Sequence, residues 1–163
     1  MEIRPLKSMD DLNLIGEIYV QSWKYAYREI IPEAFLVRLT GERWVTVLKD
    51  NPFQNFVLLD QGKVIGTAAC SSARDENLSG WGELISLYLL PECTGKGYGK
   101  KLLNYVMKEL EVSDFTNIYL WVLEANVSAR RFYESQGFEF SGDTQQITIA
   151  DTGLTEFRYC FRK

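Results

Sequence analysis

The sequence contains no histidine, and this absence removes several large classes of active site. Serine and cysteine hydrolases use histidine as their general base, and most zinc and non-haem iron sites use it as a ligand. The three cysteines, Cys70, Cys93 and Cys160, are an odd number without metal-ligand spacing, and none has a histidine partner for an acyl-cysteine route. Any general base must therefore be a carboxylate, a tyrosine, a lysine or a cysteine.

Long apolar runs and a strong charge imbalance are also missing. No hydrophobic run reaches membrane-spanning length, and the first residues, MEIRPLKSMDD, lack the apolar core of a secretion signal. The formal net charge of −4 argues against a general nucleic-acid-binding protein. We therefore expect a cytoplasmic protein with neither membrane nor nucleic-acid partners. A length of 163 residues fits one domain over 1–163.

The first half of the chain alternates between strand and helix signals. EIRPL predicts a first strand, and SMDDLNLIGEIYVQSW predicts a helix with Ser8 as its N-cap. The apolar stripe of this helix is Leu14, Ile15, Ile18 and Trp23. PEAFLVRLT and GERWVTVLKD predict two shorter helices, and NFVLLDQGKVIGTAAC predicts two strands joined by a tight turn.

The second half places helices between strands. The apolar strand WGELISLYLLP stops at Pro91, and a helix is predicted from about Gly97 to Leu110. NIYLWVL predicts a strand, NVSARRFYESQG predicts a helix that ends near Gly137, and FEFSGDTQQITI and LTEFRYCFRK predict two closing strands. This order predicts an α/β fold, with a mixed sheet and helices on both faces.

Three glycines, Gly95, Gly97 and Gly99, stand at alternate positions where the apolar strand gives way to a helix. They fit a tight turn with solvated lysines, but a turn needs fewer glycines, and a helix N-terminus with free N–H groups is an anion site. We therefore expect a phosphate-bearing ligand. The spacing matches neither the dinucleotide fingerprint G-x-G-x-x-G nor the P-loop G-x-x-x-x-G-K-S/T, which disfavours a nucleotide.

The stretch ISLYLLPECTGKGYGKKLL resembles the acetyl-CoA-binding strand, loop and helix of the GNAT superfamily of N-acetyltransferases. The loop pattern of that family is Arg/Gln-x-x-G-x-G/A. Gly97 and Gly99 match it, whereas Thr94 replaces the leading Arg or Gln. A second stretch, LWVLEANVSARRFYESQGF, resembles the other family signature through Asn126 and Tyr133. The resemblance covers residues 83–140 closely and the element order of the whole chain more loosely.

The resemblance implies a GNAT-like, partly splayed sheet of about seven strands, with acetyl-CoA in the gap between the fourth and fifth strands. The backbone of the fourth strand would pair with the pantetheine arm, and the glycine loop would hold the pyrophosphate. The coenzyme-binding residues implied in this way are Leu87, Tyr88, Leu89, Thr94, Gly95, Lys96, Gly97, Tyr98, Gly99, Lys100, Asn126 and Tyr133. The resemblance implies no metal.

The resemblance also implies an acetyl-CoA-dependent N-acetyltransferase that acts on a primary amine by direct attack in a ternary complex. The Leu89 N–H would stabilise the oxyanion, and Tyr133 would protonate the leaving thiolate, although it also fits a packed core ring. Glu83, among apolar neighbours, matches the general base of several family members, although it also fits a solvated strand end. Glu124, in a stretch typical of an exposed turn, and Glu29 are the second and third candidates for the base.

The stretch QSWKYAYREIIPEAFL matches the segment that covers the acceptor in the family, and it places Trp23 and Tyr27 beside Glu29. Aromatic rings next to carboxylates suit a cationic amine, but the same rings would also fill a core. The resemblance implies a small-molecule or peptide amine as the acceptor, with polyamine, amino acid, antibiotic amine and protein N-terminus all open. Family members often form homodimers. The alternative function is a non-catalytic acyl-CoA-binding or interaction module on the same fold.

Overall fold

The computed structural model describes residues 1–163. The strands are β1 (Glu2–Pro5), β2 (Gln54–Asp60), β3 (Lys63–Ser72), β4 (Gly82–Leu89), β5 (Ile118–Leu123), β6 (Glu139–Ile149) and β7 (Thr152–Phe161). The helices are α1 (Leu12–Ala26), α2 (Glu33–Leu36), α3 (Gly41–Asp50), α4 (Tyr98–Val112) and α5 (Val127–Ser135). None of these helices combines the length and the apolar character that crossing a membrane requires.

All the strands form one sheet in the order β1-β2-β3-β4-β5-β7-β6, and β4 and β5 are its parallel pair. These two strands pair only at their beginnings, Gly82 with Ile118 and Glu83 with Tyr119. The ladder between β3 and β4 shifts by one residue at Ile85, which marks a β-bulge. Because a bulge bends its strand, β4 leaves β5 after Glu83, and the sheet opens into a gap.

An apolar layer covers each face of the sheet. α4 packs on one face through Leu102, Leu103 and Val106, which are fully buried. α1 and α3 cover the other face, where Ile15 and Trp44 are buried. Complete burial of one such side chain contributes about 1.5–3 kcal/mol, so the two layers hold β4 and β5 in place even where these strands do not pair. The predicted mixed α/β sheet of seven strands with helices on both faces is confirmed.

α1 begins later than the sequence predicts. Its N-cap is Asp11, whose side chain accepts a hydrogen bond from the Asn13 N–H at 2.9 Å, so the predicted N-cap at Ser8 is wrong. Ser8 lies in the preceding turn, which Asp10 shapes by accepting two hydrogen bonds at 2.7 Å from the Arg4 guanidinium. The clamp between Arg4 and Asp10 ties the start of α1 to β1.

The predicted apolar stripe of α1 is correct except at one position. Ile15 and Ile18 are buried and Trp23 is half-buried, but Leu14 is 58% exposed. Leu14 immediately precedes Ile15, which faces the sheet, so the helix turns Leu14 toward solvent.

Two turns form where the sequence predicts them, one between β2 and β3 and one at the end of α5. Gln61 and Gly62, with φ of 48° and 78°, form the two-residue turn between β2 and β3, as this hairpin class requires. Gly137, with φ of 88°, follows α5, and the Phe138 N–H donates back to the Tyr133 carbonyl at 3.1 Å. This Schellman closure fixes the last turn of α5, which carries Tyr133.

Candidate active site

A cleft of about 1060 Å³ occupies the gap between β4 and β5. It extends from the N-terminal end of α4, along the second half of β4, to the end of α1 and the β6–β7 hairpin. We call the cleft-lining members of residues 87–89, 94–100 and 126–133 the glycine-loop wall, and the cleft-lining members of residues 22–30 and 147–156 the aromatic wall. A concave, mostly apolar site with a few polar groups is typical of small-molecule binding.

The glycine-loop wall presents free backbone groups at the start of α4. Gly97 is the N-cap, with φ of 81°, and no side chain caps the helix. Gly95 has φ of 72°, and a positive φ strains any residue other than glycine. A Cβ at either position would meet open space. The first N–H groups of α4 are therefore available to an anion, which the helix N-terminus attracts.

Gly99 is not required by the fold in this way. Its φ is not positive, and a Cβ there would lie 3.5 Å from the Phe132 ring, which is an ordinary contact. Alanine would fit the free protein at this helical position. Because Gly99 lines the cleft, the close approach of a ligand to its backbone is the remaining physical reason for glycine.

Two side chains of the glycine loop hold it in place by hydrogen bonds. The Tyr98 hydroxyl donates to the Asp60 carboxylate at 2.8 Å and ties the loop to the β2–β3 turn. The Thr94 hydroxyl donates to the Pro91 carbonyl at 2.8 Å, so Thr94 stabilises the turn that precedes the loop. Tyr98 and Lys96 do not line the cleft, whereas all the other predicted coenzyme-binding residues do.

The second half of β4 turns unpaired backbone groups toward the gap. The Leu90 N–H donates to the Ile65 carbonyl of β3 at 2.9 Å. Because hydrogen-bonded and non-hydrogen-bonded pairs alternate along an antiparallel ladder, the N–H groups of Leu89 and Leu87 point away from β3. The Leu89 carbonyl accepts a hydrogen bond at 2.6 Å from the Ser22 hydroxyl of α1. An extended ligand in the gap would therefore meet a strand-like row of backbone groups.

Tyr133 brings a phenol to the cleft. Its ring packs edge-on against Phe132 and Phe138, with centroids 5.2 and 5.8 Å away. Burial raises the pKa of Tyr133 well above its usual value, so the phenol is protonated at neutral pH. Asn126 caps α5 by accepting a hydrogen bond from the Ala129 N–H at 3.2 Å.

Glu83 is 2% exposed, but its surroundings are not the apolar ones that the sequence predicts. Arg74 donates three hydrogen bonds to its carboxylate, one from the backbone N–H at 3.1 Å and two from the guanidinium at 3.0 and 2.6 Å. The Tyr119 hydroxyl donates a fourth at 2.7 Å. Glu83 does not line the cleft beside Tyr133 and Leu89. Its role as the base stays a prediction.

The aromatic wall contains the predicted acceptor residues Trp23, Tyr27 and Glu29. The Trp23 indole N–H donates to the Tyr88 hydroxyl at 3.2 Å, and the Trp23 ring packs edge-on against Tyr27. Burial raises the pKa of Tyr27 to about 12, so Tyr27 is a neutral phenol in the physiological range. Glu29 is exposed at the rim, and Glu124 lies outside the cleft in an exposed turn, as predicted.

The sequence interpretation missed the part of the cleft that comes from β5 and β7. Trp121 and Glu156 line the cleft from these strands, and no motif marks either residue. The alternation along β7 was the available signal, because it places Glu156 on the face opposite the core residues Phe157 and Tyr159.

Comparisons with known proteins agree with this geometry. A model of the acetyltransferase (GNAT) family matches residues 14–138. The chain is 33% identical over 156 residues to YuaI, an uncharacterized N-acetyltransferase of Bacillus subtilis, covering 90% of this chain and 87% of that protein. It is 31% identical over 130 residues to the ribosomal protein bS18-alanine N-acetyltransferase of Haemophilus influenzae, covering 78% and 82%. It is 28% identical over 143 residues to the spermidine N(1)-acetyltransferase of Thermoplasma acidophilum, covering 85% and 88%.

The fold is also that of a solved structure. The crystal structure of the PaiA N-acetyltransferase from Thermoplasma acidophilum in complex with coenzyme A superposes with a TM-score of 0.75 at 22% identity, covering 100% of both chains. The family model spans the glycine loop and α5, the two places where the structure positions the motif residues. The chain therefore belongs to the acetyltransferase (GNAT) family and is an acetyl-CoA-dependent N-acetyltransferase.

Proposed function

We propose that the enzyme transfers the acetyl group to a primary amine by direct attack, with acetyl-CoA and the amine bound in the cleft together. The observation that carries this proposal is one continuous cleft whose wall includes no cysteine. Cys93, beside the glycine loop, lies outside the cleft, and burial raises the pKa of its thiol. The serines of the wall lack a histidine base. An acyl-enzyme route needs an activated nucleophile, so these observations support direct attack of the amine on the thioester.

The backbone of the glycine-loop wall fits the coenzyme. The free N–H groups at the start of α4, with Gly95, Gly97, Gly99 and the positive charge of Lys100, would bind the pyrophosphate. The unpaired edge of β4 would pair with the pantetheine arm as a neighbouring strand does. Both features are present in the free protein, so the coenzyme meets a preorganised surface.

Leu89 and Tyr133 supply the chemistry at the thioester. The Leu89 N–H, directed into the gap, would donate to the oxyanion, a contribution often worth about 3–4 kcal/mol. Tyr133 would donate its phenolic proton to the departing thiolate, since it lines the cleft and is protonated at neutral pH.

Glu83 is the proposed base, and its position requires a bridging water, because its carboxylate is enclosed outside the cleft wall. The Arg74 side chain that holds Glu83 is 58% exposed, so it can turn away without unpacking the core. The proton of the acceptor ammonium would then pass through the water to the carboxylate.

The acceptor is proposed to be a small cationic amine. By their names, two of the relatives act on spermidine and on an alanine of ribosomal protein bS18, and both of these acceptors are amines. The rings of Trp23 and Tyr27 next to Glu29 favour a positively charged acceptor over a neutral one.

The test is thiol release from acetyl-CoA with spermidine, simple alkylamines and a peptide with an N-terminal alanine. We expect amine-dependent release that is faster with the small cationic amines than with the peptide. When both substrates are varied, double-reciprocal plots should intersect, as a ternary complex requires. Parallel lines would indicate an acyl-enzyme and contradict direct attack. Absence of thiol release with every amine would contradict the proposed function as a whole.

A further inference from the structure

Glu156 of β7 is a charged residue of the cleft that has no role in this scheme. We propose that Glu156 binds a second positive charge of the acceptor, so that the enzyme prefers amines with a further cationic group some carbons away from the reacting nitrogen. This inference rests on the proposed transfer to an amine. It makes Glu156 a specificity-determining residue rather than the base.

Glu156 forms no ion pair, although Arg158 extends from the same face of β7. Arg158, two residues along β7, donates to Asp75 at 2.7 Å and to Asp143 at 2.5 Å. Arg74 gives its hydrogen bonds to Glu83 instead, as described above. The arginines are thus held by other carboxylates, and the negative charge of Glu156 is not neutralised by an ion pair.

The one side-chain partner of Glu156 positions its carboxylate without neutralising it. Gln145 of β6 donates from Nε2 to Oε2 of Glu156 at 2.6 Å. Glu156 is half-buried, and Oε1 has no protein donor. The carboxylate is thus oriented with one oxygen free to accept from a cation, and charge-assisted hydrogen bonds are the strong ones.

Glu156 is part of the cleft wall and is placed where its charge can act on a bound acceptor. Burial is the main cause that raises the pKa of Tyr27, and the neighbouring Tyr133 and Glu156 groups act in the same direction. Tyr27, the proposed acid Tyr133 and Glu156 all line this one cleft. An ammonium beside Glu156 would also meet the Tyr27 ring. The other charges of this wall, Arg28 and Glu29, are exposed at the rim.

The experiment compares alkylamines with diamines of the same chain length, using thiol release in the wild-type enzyme and in Glu156→Gln. Gln keeps the shape of the side chain and can still bond to Gln145. The matched control is Glu139→Gln, which removes an exposed carboxylate on β6, outside the cleft. A conservative variant, Glu156→Asp, keeps the charge. Thermal unfolding of each variant checks that it is folded.

At the chain length that the wild type uses best, we expect a diamine to have a higher kcat/KM than the alkylamine. Glu156→Gln should reduce that ratio about tenfold, mainly through the KM of the diamine, because hydrogen bonds to charged groups contribute at this level. The KM for acetyl-CoA should not change. Glu156→Asp should restore part of the ratio, and Glu139→Gln should leave it at the wild-type value.

Three results would overturn the inference. The first is a wild type that uses diamines and alkylamines equally well, in which case amine transfer stands and the second-charge site fails. The second is an unchanged ratio in Glu156→Gln. The third is a Glu156→Gln variant that loses kcat with every amine together with the alkaline rise in rate, which would make Glu156 the base. A wild type that is inactive with all amines would instead remove the proposed function, and the inference with it.

Discussion

The two walls of the cleft differ in where their groups come from and in what those groups are. The glycine-loop wall offers the free backbone N–H groups of adjoining segments, the end of β4 and the start of α4, together with side chains of α5 such as Tyr133. The aromatic wall is made of side chains from opposite ends of the chain, such as Trp23 of α1 and Glu156 of β7. Backbone groups suit the ligand that all family members share, whereas side chains can differ between members. If the walls bind the coenzyme and the acceptor as proposed, coenzyme binding is set by local segments and acceptor choice by tertiary contacts.

Tyr133 of the glycine-loop wall is the proposed acid, and its replacement should have the largest effect. Tyr133→Phe keeps the packed ring but removes the proton donor, so kcat should fall about 100-fold, with acetyl-CoA affinity unchanged. Steady-state kinetics and calorimetry measure the two quantities. Tyr105→Phe, which removes a phenol that packs on Phe56 away from the cleft, is the control. Wild-type turnover in Tyr133→Phe would refute the role of the acid.

Variants of Glu83 and Arg74 test whether Glu83, which lies outside the cleft wall, acts as the general base. Glu83→Gln should lower kcat about tenfold or more and abolish its rise toward alkaline pH, because the amide cannot accept the proton. Arg74→Gln breaks the same ion pair but keeps the carboxylate, so it should retain the pH-dependent rise. Rate–pH profiles distinguish the variants. If both variants lose activity equally, the ion pair is structural and the base lies elsewhere.

Replacement of two glycines of the loop by alanine should have different effects on stability, and this difference tests why each glycine is needed in the glycine-loop wall. Gly97→Ala forces a side chain into a left-handed conformation, which costs about 1–2 kcal/mol, so it should lower both stability and coenzyme affinity. Gly99→Ala should leave stability intact or slightly increased, yet lower acetyl-CoA affinity about tenfold by holding the phosphates away. Urea unfolding and calorimetry give both values. Normal affinity in Gly99→Ala would contradict the close approach of the coenzyme.

Replacement of Tyr27 tests the aromatic wall, as the glycine variants test the glycine-loop wall. Burial raises the pKa of Tyr27 to about 12, so the phenol stays neutral throughout the range in which the enzyme is assayed. Tyr27→Phe should therefore raise the KM of the amine a few-fold by loss of a polar contact, without moving the pH profile of kcat. A shifted profile would show that Tyr27 titrates during turnover.

Removal of the clamp between Arg4 and Asp10, before the N-terminal end of α1, should have the smallest effect, and that effect is on stability. Hydrogen bonds from Arg4 are the main cause that lowers the pKa of Asp10. A folded-state pKa below the unfolded one means that this stabilisation is present above the unfolded pKa and is lost as pH falls through the folded pKa. Asp10→Asn should thus lower the urea midpoint at neutral pH, and the difference from wild type should shrink in acid. A difference that is constant with pH would contradict the clamp.

The fold and the glycine-loop wall were accessible from sequence because their signals are local. Strand and helix periodicity predicts the mixed sheet. Gly97 belongs to a motif between β4 and α4, and Asn126 and Tyr133 belong to a second motif that follows β5, so each motif lies within one strand–helix segment. Ser8 was misassigned as a cap because Asp10 is bound by Arg4 of another element, which no local pattern reveals.

The acceptor side was less accessible because long-range contacts decide it. The surroundings of Glu83 depend on Arg74 in the β3–β4 loop and on Tyr119 of β5. Glu156 reaches the cleft only because the β6–β7 hairpin lies beside β5. The contacts of Glu83 and the position of Glu156 depend on the order of the strands in the sheet, which cannot be read from local patterns in a single sequence.

The most direct test of the central claim, that the two walls bind two substrates at once, is a calorimetric titration of the best amine into enzyme saturated with coenzyme A. The account predicts binding at one site while coenzyme A stays bound, with weaker binding of the amine in Glu156→Gln. Displacement of coenzyme A by the amine, or no binding to the saturated enzyme, would contradict the account.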